Sequence, residues 1–132
     1  MEGGQTNEFR PLILVAEDDD SNFKLIKAII GKKCDIQWAK NGEEIVALFK
    51  EYGNEAKAIL MDIKMPGMNG LDATKIIRGG NKEIPIIMQT AYAFSSDKEN
   101  AMNAGASEVL VKPITLSILR NTLTKYFPEL VW

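Results

Sequence analysis

Ala58-Ile59-Leu60-Met61 is a short apolar run closed by Asp62, and Met65-Pro66-Gly67-Met68-Asn69-Gly70, just beyond it, is rich in turn-forming residues. An apolar run of this length without polar alternation reads as a strand covered on both faces. Asp62 therefore falls at the carboxyl end of a buried strand. The pattern recurs on both sides. Leu12-Ile13-Leu14-Val15-Ala16 runs into Glu17-Asp18-Asp19-Asp20, Ile84-Pro85-Ile86-Ile87-Met88 leads to Thr90, and Val109-Leu110-Val111 leads to Lys112. Ile36 and Trp38 alternate with polar Asp35 and Gln37, the period-2 pattern of a strand with one wetter face at a sheet edge.

Helical periodicity fills the gaps. Phe23, Ile26, Ile29 and Ile30 share a face of a first helix, with Asp20 or Ser21 as its cap and Gly31 as its stop. Asn41 with Glu44 reads as a capped start for a second helix, buried through Ile45, Leu48 and Phe49 and ended by Gly53. Leu71, Thr74, Ile77 and Arg78 define a third, ended by Gly79-Gly80. Ser96 and Glu99 form a capping box for a fourth that stops near Gly105, and Leu116 to Phe127 is a fifth. Strands that alternate with helices in this way predict a parallel sheet with helices on both faces, which binds ligands beyond the carboxyl ends of its strands. We expect a flexible tail over residues 1–10 and one domain over residues 11–130.

A chain of 132 residues that is 45% hydrophobic can build one core. The net charge is −2 and the basic residues are scattered, so no nucleic-acid footprint is present and no direct nucleic-acid partner is expected. The start, MEGGQTNEFR, lacks the basic and apolar regions of a signal peptide, and no apolar run approaches the roughly 18 residues of a membrane span. With Cys34 as its lone cysteine the chain forms no internal disulfide, and a cytoplasmic domain without membrane contact is expected. Histidine is absent, which removes Ser-His-Asp and Cys-His catalysis and histidine-ligated metal sites. It also means that the chain cannot itself carry a phosphohistidine.

The residues that follow the strands are Glu17, Asp18 and Asp19, then Asp62, then Thr90, then Lys112. An open α/β sheet would gather them at one end. Crowded carboxylates repel one another and raise at least one pKa unless a cation lies among them. Mg²⁺ suits such a site, since it takes a few carboxylates together with waters and a phosphate.

Ile13-Leu14-Val15-Ala16-Glu17-Asp18, Leu60 through Gly70, Gln89-Thr90-Ala91 and Val111-Lys112-Pro113 resemble, in order, the signature blocks of response-regulator receiver domains. The resemblance covers nearly the whole chain. It implies a flavodoxin-like doubly wound (βα)5 fold with a five-stranded parallel sheet in the order 2-1-3-4-5. It makes Asp62 the phosphoryl acceptor and one of the residues at the Mg²⁺, which Asp18 would hold directly, Glu17 through water, and the backbone carbonyl of Lys64 with a further oxygen. Thr90 would hydrogen-bond the phosphoryl group and Lys112 would pair with it. Lys112-Pro113 becomes a candidate cis peptide. By the same resemblance the chain is no classical enzyme: it catalyses its own phosphorylation from phosphohistidine and slowly loses the group. Its partner would be a histidine kinase or a histidine phosphotransfer domain, and the opening residues resemble receivers fused to hybrid sensor kinases. Homodimerisation on phosphorylation is left open.

Two departures stand out. The family's usual aromatic residue, three before the conserved lysine, is here Val109. Lys64 and Tyr92 occupy the positions two after Asp62 and two after Thr90 that tend to set phosphoryl lifetime, and we expect them to shield the group from water. Three other readings compete: a receiver-like interaction module that is not phosphorylated, a flavodoxin-like electron carrier, and an aspartyl-intermediate phosphatase. The first is opposed by the intact acid, threonine and lysine set. The second is opposed by the acidic run, which would repel a flavin phosphate, and the third by Lys64 where a second aspartate would stand.

Overall fold

A computed structural model describes residues 9–92 and 95–132. Five strands alternate with five helices: β1 (Leu12–Ala16), α1 (Asp20–Ile30), β2 (Asp35–Ala39), α2 (Gly42–Tyr52), β3 (Ala56–Asp62), α3 (Gly70–Gly80), β4 (Ile86–Thr90), α4 (Ser95–Ala104), β5 (Glu108–Val111) and α5 (Leu116–Tyr126). All pairings are parallel and the sheet order is β2-β1-β3-β4-β5, the doubly wound arrangement expected. β2 lies at the sheet edge, as its alternation foretold.

The period of two along each strand sorts side chains onto opposite faces. Ile13 and Val15 of β1, Ala58 and Leu60 of β3, and Ile87 of β4 meet Ile26, Ile29 and Ile30 of α1 and Leu119 and Leu123 of α5. Leu14, Ala16, Ile59, Met61, Ile86 and Met88 face the other way, onto Ile45 of α2, Ala73 and Ile77 of α3, and Ala101 of α4. Two cores thus sandwich one sheet. Leu48 and Phe49, expected in the buried stripe of α2, pack against the second core while partly exposed.

Several local expectations are corrected. The cap of α1 is Asp19, whose Oδ1 accepts the Asn22 N–H at 3.0 Å, and Asp20 is the first helical residue. Gly79 and Gly80 continue α3 through its last turn, and Asn81 closes it with its N–H on the Ile77 carbonyl. A right-handed helix tolerates glycine near its end when the next residue supplies the cap. Ile84 and Pro85 precede β4, although the Pro85 carbonyl accepts the Ile59 N–H at 2.9 Å. Ser96 lies inside α4, and the position that would cap this helix is outside the described residues. By contrast Asn41 caps α2 as expected, accepting the Glu44 N–H at 2.8 Å while Glu44 accepts the Lys40 N–H.

Residues 1–8 of the expected tail lie outside the described residues. Phe9 packs on Phe127 with ring centroids 6.1 Å apart, and Arg10 donates to the carbonyls of Gly31, Lys32 and Cys34 beyond the end of α1. Among the described residues no helix is long and apolar enough to cross a membrane.

Candidate functional site

Three central strands end in polar residues that the sheet brings to one edge. Glu17 follows β1 and is wholly buried; Asp62 closes β3 and Thr90 closes β4, each 5% exposed. Lys112, just past β5, reaches across them. Its ammonium donates to Asp62 Oδ2 at 2.9 Å and lies 3.8 Å from Glu17 Oε1. Asp18 is exposed, yet Glu17, Asp18 and Asp62 each offer a carboxylate oxygen within 4.8 Å of the others. Glu17, Asp18, Asp62, Lys64, Thr90 and Lys112 line one cleft of about 260 Å³.

The approach of α3 to this edge explains the turn residues after Asp62. The Gly70 N–H donates to the Ile63 carbonyl at 2.8 Å, and a Cβ at Gly70 would strike the Asp62 carbonyl. Gly67 takes a positive φ of 69°, a conformation that glycine adopts without the Cβ penalty. Lys112-Pro113 is cis, as expected.

Electrostatics within the cleft are unbalanced. Burial and the neighbouring Asp62 charge push the Glu17 carboxyl up to about 7, against the Asp19 N–H and Lys112, which favour its ionised form. For Lys112, burial acts against the ammonium, but the Asp62 hydrogen bond and the Asp62, Glu17 and Asp18 charges outweigh it and hold its pKa above the ordinary lysine value. Glu17 Oε1 is buried and accepts no hydrogen bond. An orphaned carboxylate oxygen facing two further carboxylates fits a hard cation, and the donor set of oxygens with one compensating ammonium suits Mg²⁺.

The remaining predicted residues divide. Lys64 and Tyr92 meet, with the Lys64 ammonium 4.7 Å from the centre of the Tyr92 ring, and the Tyr92 N–H donates to Thr90 Oγ1 at 3.1 Å. Val109 does not line the cleft: it packs against the core under α2, α3 and α4. Asn22 and Ala91 line the cleft without having been singled out. The sequence places Trp38 only in the alternation of the edge strand, yet its indole N–H donates to the Glu17 carbonyl at 2.7 Å. Its place near the carboxyl end of an expected strand was the available signal.

A doubly wound sheet with an acid pair, a buried aspartate and a lysine converging beyond its strand ends defines a flavodoxin-like domain whose switch point gathers three carboxylates that could hold a metal ion. Residues 13–124 match the family described as the response regulator receiver domain, and the chain belongs to that family. It is 38% identical to hybrid signal transduction histidine kinase I of Dictyostelium discoideum, an alignment covering 89% of this chain and 7% of that protein. With the Escherichia coli signal transduction histidine-protein kinase BarA the identity is 33%, covering 88% of this chain and 13% of the other. The chain thus spans a small part of the curated relatives it matches. Among solved structures, the receiver domain of the sensor histidine kinase PA1611 of Pseudomonas aeruginosa aligns with a TM-score of 0.82 at 30% identity, over 90% of this chain and 98% of that one. That structure has a magnesium ion coordinated in its active-site cleft. The receiver domain of Saccharomyces cerevisiae Ssk1, in complex with the histidine phosphotransfer protein Ypd1, aligns with a TM-score of 0.84 at 27% identity, over 96% of each chain.

Proposed function

We propose that this receiver domain takes a phosphoryl group onto Asp62 in a Mg²⁺-dependent reaction with phosphohistidine on a kinase or phosphotransfer partner. The observation that carries the reading is the buried Asp62 carboxylate bonded at 2.9 Å to Lys112, beside a buried Glu17 oxygen that has no hydrogen-bond donor. Glu17, Asp18 and Asp62 would hold the ion, with the Lys64 carbonyl as a further oxygen. When bound, Mg²⁺ supplies positive charge against the incoming phosphoryl oxygens.

The chain's own residues do the rest. A carboxylate oxygen of Asp62 forms the new P–O bond as the P–N bond of phosphohistidine breaks and the imidazole leaves, taking up a proton. Lys112 already lies on Asp62 and offers a fixed positive charge to the equatorial oxygens, while the Thr90 hydroxyl, on the same edge, can donate to one of them. This is positioning and charge compensation; no side chain need act as general base, because the carboxylate attacks ionised.

Phosphorylation adds about −1.5 to −2 charges beside Lys112 and Thr90. New charge-assisted contacts there would draw in the segment after β4 and change the surface formed by α4, β5 and α5, the output of the switch. With Val109 in the place of the family's aromatic, the switch would act without an aromatic swivel. A cytoplasmic domain spanning residues 11–130, as part of a hybrid kinase, is the setting this reading supports; the two curated relatives compared above are histidine kinases of which it matches a small segment.

Incubation with acetyl phosphate and Mg²⁺ is expected to add one phosphoryl group to the intact protein by mass spectrometry, and Asp62→Asn or EDTA to abolish the gain. An unchanged mass in the wild-type sample, with beryllofluoride also failing to bind, would replace this reading with that of a phosphorylation-independent interaction module. The Lys64–Tyr92 contact supports a shield over the acceptor. Replacing Lys64 and Tyr92 together by alanine is expected to speed loss of phosphate in a time course of dephosphorylation. An unaltered rate would remove the shield from the account.

A further inference from the structure

We propose that Trp38 is a positioning residue for the acidic site, acting through the main chain of the turn between β1 and α1; the inference rests on the reading of that site as a Mg²⁺ centre. Pairing of β1 with β2 ends where Ala16 meets Ala39. Glu17 is therefore one residue past the ladder, but β2 still holds both ends of its backbone. Its N–H donates to the Ala39 carbonyl at 2.9 Å, and its carbonyl accepts the Trp38 indole N–H at 2.7 Å.

The peptide unit is planar, so holding the Glu17 oxygen also fixes the nitrogen and Cα of Asp18. The indole thereby sets the root from which the exposed Asp18 carboxylate projects. Further along the turn, Glu17 Oε2 accepts the Asp19 N–H at 3.2 Å.

The indole is itself clamped. It stacks on Phe23 of α1 with ring centroids 3.9 Å apart and planes 1° from parallel. The Lys40 ammonium lies 4.7 Å from the centre of the Trp38 ring and 3.7 Å from Asp20 Oδ1, at the first residue of α1. β2 and the start of α1 are thus bridged across the very turn that bears Glu17 and Asp18.

Such a bridge answers a physical need. Three carboxylates with oxygens within 4.8 Å of each other repel, and Asp18, the exposed member, can swing away at least cost. Restraint at its backbone keeps the donors converged before the ion arrives, which reduces the ordering cost of binding. Outer groups of this kind tune metal affinity without touching the metal.

Trp38→Phe keeps a ring to stack on Phe23 and removes the N–H. Mg²⁺ binding to the ¹⁵N-labelled chain, followed through the backbone amides of Asp18 and Asp62, is expected to weaken roughly fivefold, the effect of one ordinary hydrogen bond. Urea unfolding of both proteins without metal is measured alongside, because a merely structural role would lower stability and leave affinity unmoved. A variant that binds within about twofold of wild type overturns the proposal. In the wild-type chain, the Trp38 indole proton is expected to exchange more slowly and shift as Mg²⁺ saturates the site. An indole signal indifferent to Mg²⁺ overturns it too, even if the variant does not fold. Wild-type protein that binds no Mg²⁺ at all would instead bring down the metal reading on which the proposal stands.

Discussion

Glu17 shows how much a single buried carboxyl can decide. It is fully enclosed, has an oxygen without a donor and shares its surroundings with Asp62, so its protonated form is favoured up to about pH 7. The folded-state pKa is raised above its ordinary 4.5, so the folded protein binds more protons than the unfolded chain between those values. The stability contributed by this group is therefore complete below about pH 4.5 and is lost as pH rises through about 7. Urea unfolding in EDTA is expected to show this loss, a few kcal/mol at most, and Glu17→Gln is expected to flatten the profile. A wild-type profile as flat as the variant's would mean that Glu17 ionises in the folded state at its ordinary pKa. The identities of Glu17, Asp62, Thr90 and Lys112 were legible from their places after apolar runs. The raised pKa of Glu17 was not legible residue by residue, because it depends on which charges come within a few ångströms across three different strands.

At the scale of the element, the strands were easier to read than the helix ends. Continuous apolar runs such as Ile59-Leu60-Met61 admit few alternatives once both faces are covered, whereas caps are chosen among neighbouring polar residues by backbone geometry. Asp19, Asp20 and Ser21 all carry a capping side chain, and only the extended conformation at Asp19 decides among them, with φ −95° and ψ 119°. The paired glycines of α3 misled for a related reason: glycine often stops helices but is not obliged to. Gly79 and Gly80 lie within the helix, neither takes a positive φ, and a Cβ at either would meet nothing within 4 Å. Alanine at each is expected to stabilise the protein by about 0.5 kcal/mol, mainly by restricting the unfolded chain, and the two gains should add in thermal or urea unfolding. Destabilisation by either substitution would place a stop at the glycines after all. α4 is the least anchored of the helices by its own residues, since its buried apolar side chains among the described residues are the small Ala101 and Ala104. That shallow packing suits an element whose surface is proposed to respond to phosphorylation.

At the scale of the whole molecule, the proposed ion binding is coupled to folding, because the acid cluster exists only when β1 and β3 lie side by side. Mg²⁺ at about a hundred times its Kd is expected to stabilise the chain by roughly 2.7 kcal/mol, and Asp18→Asn to reduce that gain. Thermal unfolding with and without the ion checks this, and an unshifted midpoint at saturating Mg²⁺ would mean that the cluster does not hold the ion. Taken alone, the order of the residues determined that strands and helices would alternate, that one edge strand would be wetter, and that an acid pair, an aspartate, a threonine and a lysine would each follow a strand. Local patterning suffices for that, since burial and periodicity are written into neighbouring residues. Tertiary structure alone decided that Lys112 lies on Asp62, that Glu17 retains an oxygen without a donor, that Val109 faces away from the cleft, and that Trp38 reaches the Glu17 carbonyl. Each of these depends on the lateral order of strands that are distant in the chain, and distances across a sheet follow from packing rather than from spacing along the sequence.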